Sequence, residues 1–160
     1  MAKLTHLDAE GRARMVDVTE KEVTHRVAVA CGAVFMRPET LKLIVEKKIE
    51  KGDVFSVARV AGIMAAKKTP ELIPMCHPLN ITTVEIKLIP LENPARVEIE
   101  ALVKVEGKTG VEMEAMTAVA VCGLTIYDMC KAVDREMSVS EIRLVKKSGG
   151  KSGTFIRKER

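Results

Sequence analysis

Asp128 and Lys131 stand three residues apart in a stretch of helical character, so their side chains share one face. They emerge from an uncharged run, residues 115–127, and flank Met129 and Cys130, both of buried type. An exposed pair of this kind is an ordinary ion pair. A half-buried one has shifted proton affinities and can act as acid or base. Glu112 and Glu114 open the same stretch. There they either complement the positive end of a helix or, in an extended lead-in, point the same way as a carboxylate pair for a ligand. Glu114 and Asp128 lie 14 residues apart, about 21 Å along a helix. If both ends work, the site lies between subunits or there are two sites.

His77 sits in Pro74-Met75-Cys76-His77-Pro78, where proline on both sides holds the loop in a defined shape. Adjacent Cys and His do not chelate one ion comfortably, and Cys31, Cys76, Cys122 and Cys130 form neither C-x-x-C nor zinc spacing. No metal and no cofactor is expected, and His77 is either a hydrogen-bonding site residue or a structural one. Lys147-Ser148-Gly149-Gly150-Lys151-Ser152-Gly153 superficially echoes a P-loop, but the required first glycine is Val145. A Gly/Ser loop with two lysines can still wrap phosphates with N–H groups and ammonium charges. Lys51-Gly52, Lys67-Lys68 and Lys108-Thr109-Gly110 add basic positions. Gathered, they suit a triphosphate; scattered, they are solvated surface.

These residues need elements to position them. Residues 1–23 read as a polar arm with an edge strand at Met15-Val16-Asp17-Val18, and residues 24–36 as a first strand. Pro38 starts a helix whose apolar positions Leu41, Ile44, Val45 and Ile49 run to Gly52. Asp53 caps a second helix that stops before Pro70, and three prolines keep residues 70–80 as loop. Alternation at 81–89 and 96–105 gives two strands joined by a turn at Leu91-Glu92-Asn93-Pro94. A long helix spans about 110–133, and a last strand at 141–145 precedes the Gly/Ser/Lys tail. The order is that of a ferredoxin-like split βαβ, an α+β fold with an antiparallel sheet covered by helices. Residues 1–23, 24–146 and 147–160 (arm, body, loop and tail) form one domain. The long helix is apolar or neutral on every face over 115–127, so one sheet cannot bury all of it. Either a second subunit or the N-terminal arm covers the remainder.

Composition narrows the function. With 160 residues, no Trp, one Tyr and three Phe, there are too few rings for a single-strand stacking platform, so no nucleic-acid polymer is expected as partner. The last 18 residues carry seven basic residues and one acid, whereas the rest carries 19 basic and 21 acidic. That segment is a solvated tail or meets a specific anion. No apolar leader opens the chain, and the longest uncharged run is 13 residues, against about 20 for a membrane span. A cytoplasmic chain with reduced thiols and no membrane partner is expected.

Together these segments resemble the MoaC family. The resemblance is carried by Leu4-Thr5-His6, Met15-Val16-Asp17-Val18, Lys51-Gly52-Asp53-Val54-Phe55, Ala58-Arg59-Val60-Ala61-Gly62, Leu72 through Leu79, Gly107 through Ala115, Leu124 through Val133, and Lys147 through Gly153. It implies an enzyme of molybdenum cofactor biosynthesis that converts (8S)-3′,8-cyclo-7,8-dihydroguanosine 5′-triphosphate to cyclic pyranopterin monophosphate and releases diphosphate. It further implies a hexamer, a trimer of dimers, with sites between subunits. Asp128, Lys131 and Lys51 would be catalytic. Met75, Cys76, His77, Glu112, Met113 and Glu114 would hold the nucleobase part. Arg26, Lys67, Lys147 and Lys151 would bind the triphosphate, and Thr109 would complete the substrate-binding residues. The alternative class is a non-catalytic oligomer that binds an anionic nucleotide.

Overall fold

The computed structural model describes residues 8–158, so Leu4-Thr5-His6 lies outside the described residues. Its elements are β1 (Thr24–Phe35), α1 (Pro38–Val45), α2 (Val54–Lys67), α3 (Thr69–Leu72), β2 (Ile81–Glu92), β3 (Ala95–Gly107), α4 (Glu112–Cys130), β4 (Ser138–Ser148) and β5 (Phe155–Ile156). The strands form one antiparallel sheet in the order β2-β3-β1-β4-β5. The fold is α+β, with α2 and α4 packed together on the sheet.

Small residues let α4 sit close. The middle of β1 presents Ala28 and Ala30 opposite Val103 and Ala101 of β3, and all four are fully buried beside Ala118, Val119, Cys122 and Ile126 of α4. A Cβ on Gly32 would lie 2.6 Å from Val119 Cγ1, and one on Gly123 the same distance from Val139 Cγ1. A Cβ on Gly62 of α2 would lie 2.4 Å from Cys122 Sγ. Glycine at these three points is what allows two helices and a sheet to pack at this spacing.

Helix ends follow local chemistry. Asp53 caps α2 as expected, accepting from Ser56 N–H at 3.1 Å. α1 stops at Val45, short of the Gly52 expected from its apolar spacing, because Lys47 turns left-handed (φ 55°). Its amino end is capped from far along the chain: Asp134, only 1% exposed, accepts from Arg37 N–H (2.9 Å) and the Thr40 hydroxyl (3.0 Å). Pro70 does not begin a loop. It stands in the first turn of the short helix α3, where a missing N–H costs nothing. Met15-Val16-Asp17-Val18 forms no strand, and the sheet edge beside β4 is taken by β5, which alternation did not reveal. β4 is longer than expected, running back to Ser138 through an irregularity where Glu141 has φ 58°.

α4 has the length and hydropathy of a membrane span, but it is a core helix whose inner face packs on the sheet and α2. Its outer face stays open. Leu124 is 61% exposed, and Val60 (57%) and Met64 (52%) of α2 are exposed as well. The described part of the arm does not cover it.

Candidate functional site

Two groups of site residues form, one at each end of α4. At the carboxyl end, Lys51 stands on the loop between α1 and α2. That loop is shaped by left-handed Lys47 and Gly52 (φ 107°) and held by a 3.0 Å ion pair from Lys47 to Asp53. Lys51 Nζ donates to Asp128 Oδ2 at 3.0 Å and to the Asp128 carbonyl at 2.9 Å. Lys131 Nζ lies 2.7 Å from Asp128 Oδ1. One carboxylate therefore clamps two ammonium groups, all three half-exposed. Hydrogen bonds from Lys131 and then Lys51, reinforced by their charges, hold the Asp128 carboxyl down at about 2. The same contact pushes the Lys131 ammonium up. Cys130 beside them is buried and pushed up to about 11, so it is a packed thiol rather than a nucleophile.

At the amino end, four segments converge: the arm, the loop carrying His77, the turn between β3 and α4, and the end of β4. The first three enclose a cleft of about 660 Å³ lined by Val16, Asp17, Lys21, Met75, Cys76, His77, Thr109, Glu112, Met113 and Glu114. His77 Nε2 lies 2.7 Å from the Val16 carbonyl, and Lys108 Nζ donates to the Thr19 carbonyl at 2.6 Å. These contacts fasten the arm over the cleft. Burial pushes the Cys76 thiol up. Glu114 is 2% exposed and its carboxyl is pushed up, first by burial and then by the neighbouring Glu112 charge.

A smaller chamber of about 210 Å³ shares Lys21, Thr109, Gly110 and Glu112 with the first and adds Arg26, Lys108, Lys147, Gly149 and Ser152. Lys147 Nζ sits 3.3 Å from Glu112 Oε1 and donates to the Ser152 hydroxyl. A third hollow beyond it is lined by Lys21, Arg26, Lys151 and Ser152. Arg26 organises the whole corner. Its Nε donates to the Gly107 carbonyl (2.9 Å) and its Nη2 to the Lys108 carbonyl (3.1 Å). It can approach the last loop because Gly149 (φ 97°) and Gly150 (φ 73°) carry no side chain; a Cβ on Gly150 would lie 2.2 Å from Arg26 Nη1. The result is a cleft with carboxylates and apolar walls opening into cation-lined space, a shape for an anion with a ring at one end.

The structure thus brings Met75, Cys76, His77, Glu112, Met113, Glu114, Thr109, Arg26, Lys147 and Lys151 together. It does not bring Lys51, Asp128 and Lys131 to them within one chain, since Glu112 and Asp128 are 16 residues, about 24 Å, apart on α4. Lys67 ends α2, is exposed, and lines none of these clefts. Lys21, which lines all three, was not among the expected site residues, nor was Asp17. Asp17 lies within the segment read as an edge strand and Lys21 three residues beyond it, and neither carries a local signal for a site. Among the described residues no three His, Cys, Asp or Glu converge as metal ligands.

Comparison with known proteins places the chain in a family. The model of the MoaC family matches residues 15–150. A cyclic pyranopterin monophosphate synthase of Pelotomaculum thermopropionicum is 65% identical over 158 residues, 99% of this chain and 93% of that protein. The protein of the same name from Desulforamulus reducens is 64% identical over 98% of this chain and 95% of its own length. That from Thermomicrobium roseum is 61% identical over 99% and 96%.

Proposed function

Because the chain belongs to the MoaC family and is an enzyme of it, we propose that it is a cyclic pyranopterin monophosphate synthase acting in molybdenum cofactor biosynthesis. Its substrate on this reading is (8S)-3′,8-cyclo-7,8-dihydroguanosine 5′-triphosphate, and diphosphate is released. The observation that carries the reading is the two-part cleft: a chamber offering Glu112 and Glu114 opens directly into one offering Lys21, Arg26, Lys108 and Lys147. Ring and triphosphate have separate, chemically matched places.

Asp128, Lys131 and Lys51 then supply acid–base catalysis. With Asp128 ionised between them, both lysines begin as ammonium acids, able to protonate a departing ring nitrogen or to offset charge growing on the diphosphate. When a substrate hydroxyl closes on the α-phosphorus and the bond to diphosphate breaks, the hydroxyl proton passes to whichever amine has first given its own proton away. The strand order β2-β3-β1-β4 with intervening helices supports the ferredoxin-like assignment. The separation of the two groups, with the exposed apolar side chains on α2 and α4, supports a site completed by a second copy; a hexameric trimer of dimers in the cytoplasm is the assembly and location that the family resemblance implies.

The test is diphosphate release from the cyclic nucleotide. The wild type turns over, while Asp128→Asn and Lys131→Ala lose about 10²–10⁴-fold in kcat yet fold. Full activity in either variant removes the catalytic assignment. Binding without turnover by the wild type would instead make the chain a nucleotide-binding protein.

A further inference from the structure

Two carboxylates serve the ring chamber, and their surroundings differ. Glu112 has a cation, Lys147, at 3.3 Å. Glu114 makes no ion pair among the described residues, is 2% exposed, and finds only its own backbone N–H as hydrogen-bond donor. The titratable groups lining the chamber with it are Asp17 and Lys21 from the arm, Cys76 and His77 from the loop, and Glu112 on α4. Of these, Asp17 and Glu112 are anionic, Lys21 is exposed, and His77 is turned to the Val16 carbonyl. A substrate entering this chamber displaces its remaining water and adds triphosphate charge next door. Both changes disfavour a carboxylate at Glu114 further.

We propose that Glu114 meets the ring end of the substrate as a neutral carboxylic acid, donating a hydrogen bond to a carbonyl oxygen or ring nitrogen. Glu112, paired with Lys147, remains the carboxylate that accepts from ring N–H groups. This rests on the reading that the ring end of a guanine-type nucleotide lies in this chamber. A donor beside an acceptor matches a guanine-type edge, where a carbonyl stands next to N–H groups.

GTP serves as the probe for calorimetric titration in buffers of different ionisation enthalpy, which counts protons taken up on binding. The wild type takes up protons near neutral pH, approaching about one per site as the pH rises above the carboxylate range. Glu114→Gln abolishes that uptake. Glu114→Ala weakens GTP binding at least about tenfold, and Glu114→Gln, which keeps a neutral donor, recovers most of the loss. A Glu114→Gln variant as weak as Glu114→Ala, with wild-type uptake unchanged, overturns this inference and leaves the functional reading intact. No GTP binding and no turnover by the wild type overturns both. Should the variants not fold, the carboxyl carbon of Glu114 followed by NMR in the wild type with GTP decides: an ionised signal at pH 7 refutes the proposal.

Discussion

Replacing Asp134 by alanine puts the long-range cap of α1 to a quantitative test. Its carboxylate is buried and accepts from the part-buried Arg37 N–H at 2.9 Å, the buried Thr40 hydroxyl at 3.0 Å and the Glu136 N–H at 3.2 Å. Arg37 also reaches back with its guanidinium, 3.5 Å from Asp134 and hydrogen-bonded to the Val133 carbonyl. Losing the carboxylate strands two donors with little access to water, at about 1–3 kcal/mol each. The expected loss is therefore about 2–6 kcal/mol, or a fall of at least about 4 °C in Tm for a chain of this size. Wild type and variant are compared by denaturant melts at equal protomer concentration, because any assembly contributes mass action to the stability. The pH dependence gives a second arm. Burial alone raises the Asp134 carboxyl, but the Arg37, Thr40 and Glu136 donors outweigh it and leave the group below the usual range. A depressed group stabilises the fold above its unfolded value, about 3.9, and that stabilisation fades as pH falls through the folded value. The gap between wild type and Asp134→Ala is thus full at pH 7 and closes in acid. A variant within ~0.5 kcal/mol of wild type at pH 7, or a gap that widens in acid, refutes the reasoning.

Gly150→Ala forces a Cβ to 2.2 Å from Arg26 Nη1 at a φ of 73°, so Arg26 leaves the phosphate chamber. KM for the cyclic nucleotide rises roughly tenfold while kcat changes little, and steady-state kinetics of diphosphate release read the split. Asp128→Asn, whose site is exposed, shifts Tm by no more than about 2 °C. Without the carboxylate that now pushes Lys131 up, the alkaline limb of its residual pH–rate profile moves to lower pH.

Much of this was legible in the chain because the signals are local. Asp53 before an apolar helix, alternation across 81–89 and 96–105, and the uncharged stretch of α4 each report their own element. What escaped depends on partners far along the chain. Nothing near Pro38 announces that its helix is capped by Asp134, and nothing near Lys21 announces that it faces Lys147 and Arg26. The arm misread as a strand has the right alternation, but its Val16 carbonyl is used by His77 rather than by a sheet. The expectation that the two ends of α4 cannot meet in one chain came from helix rise alone, and the geometry of α4 agrees with it.

The central claim is that one working site takes its ring and phosphate groups from one copy and its Lys51–Asp128–Lys131 group from another. Mixing inactive chains tests it most directly. Lys131→Ala chains, intact at the amino end of α4, are co-refolded in equal amounts with His77→Ala chains, intact at the carboxyl end. Random pairing leaves one whole site in half of the pairs, so diphosphate release recovers to about a quarter of the wild-type rate. Mixed assemblies that form and stay inactive at every ratio would contradict a shared site.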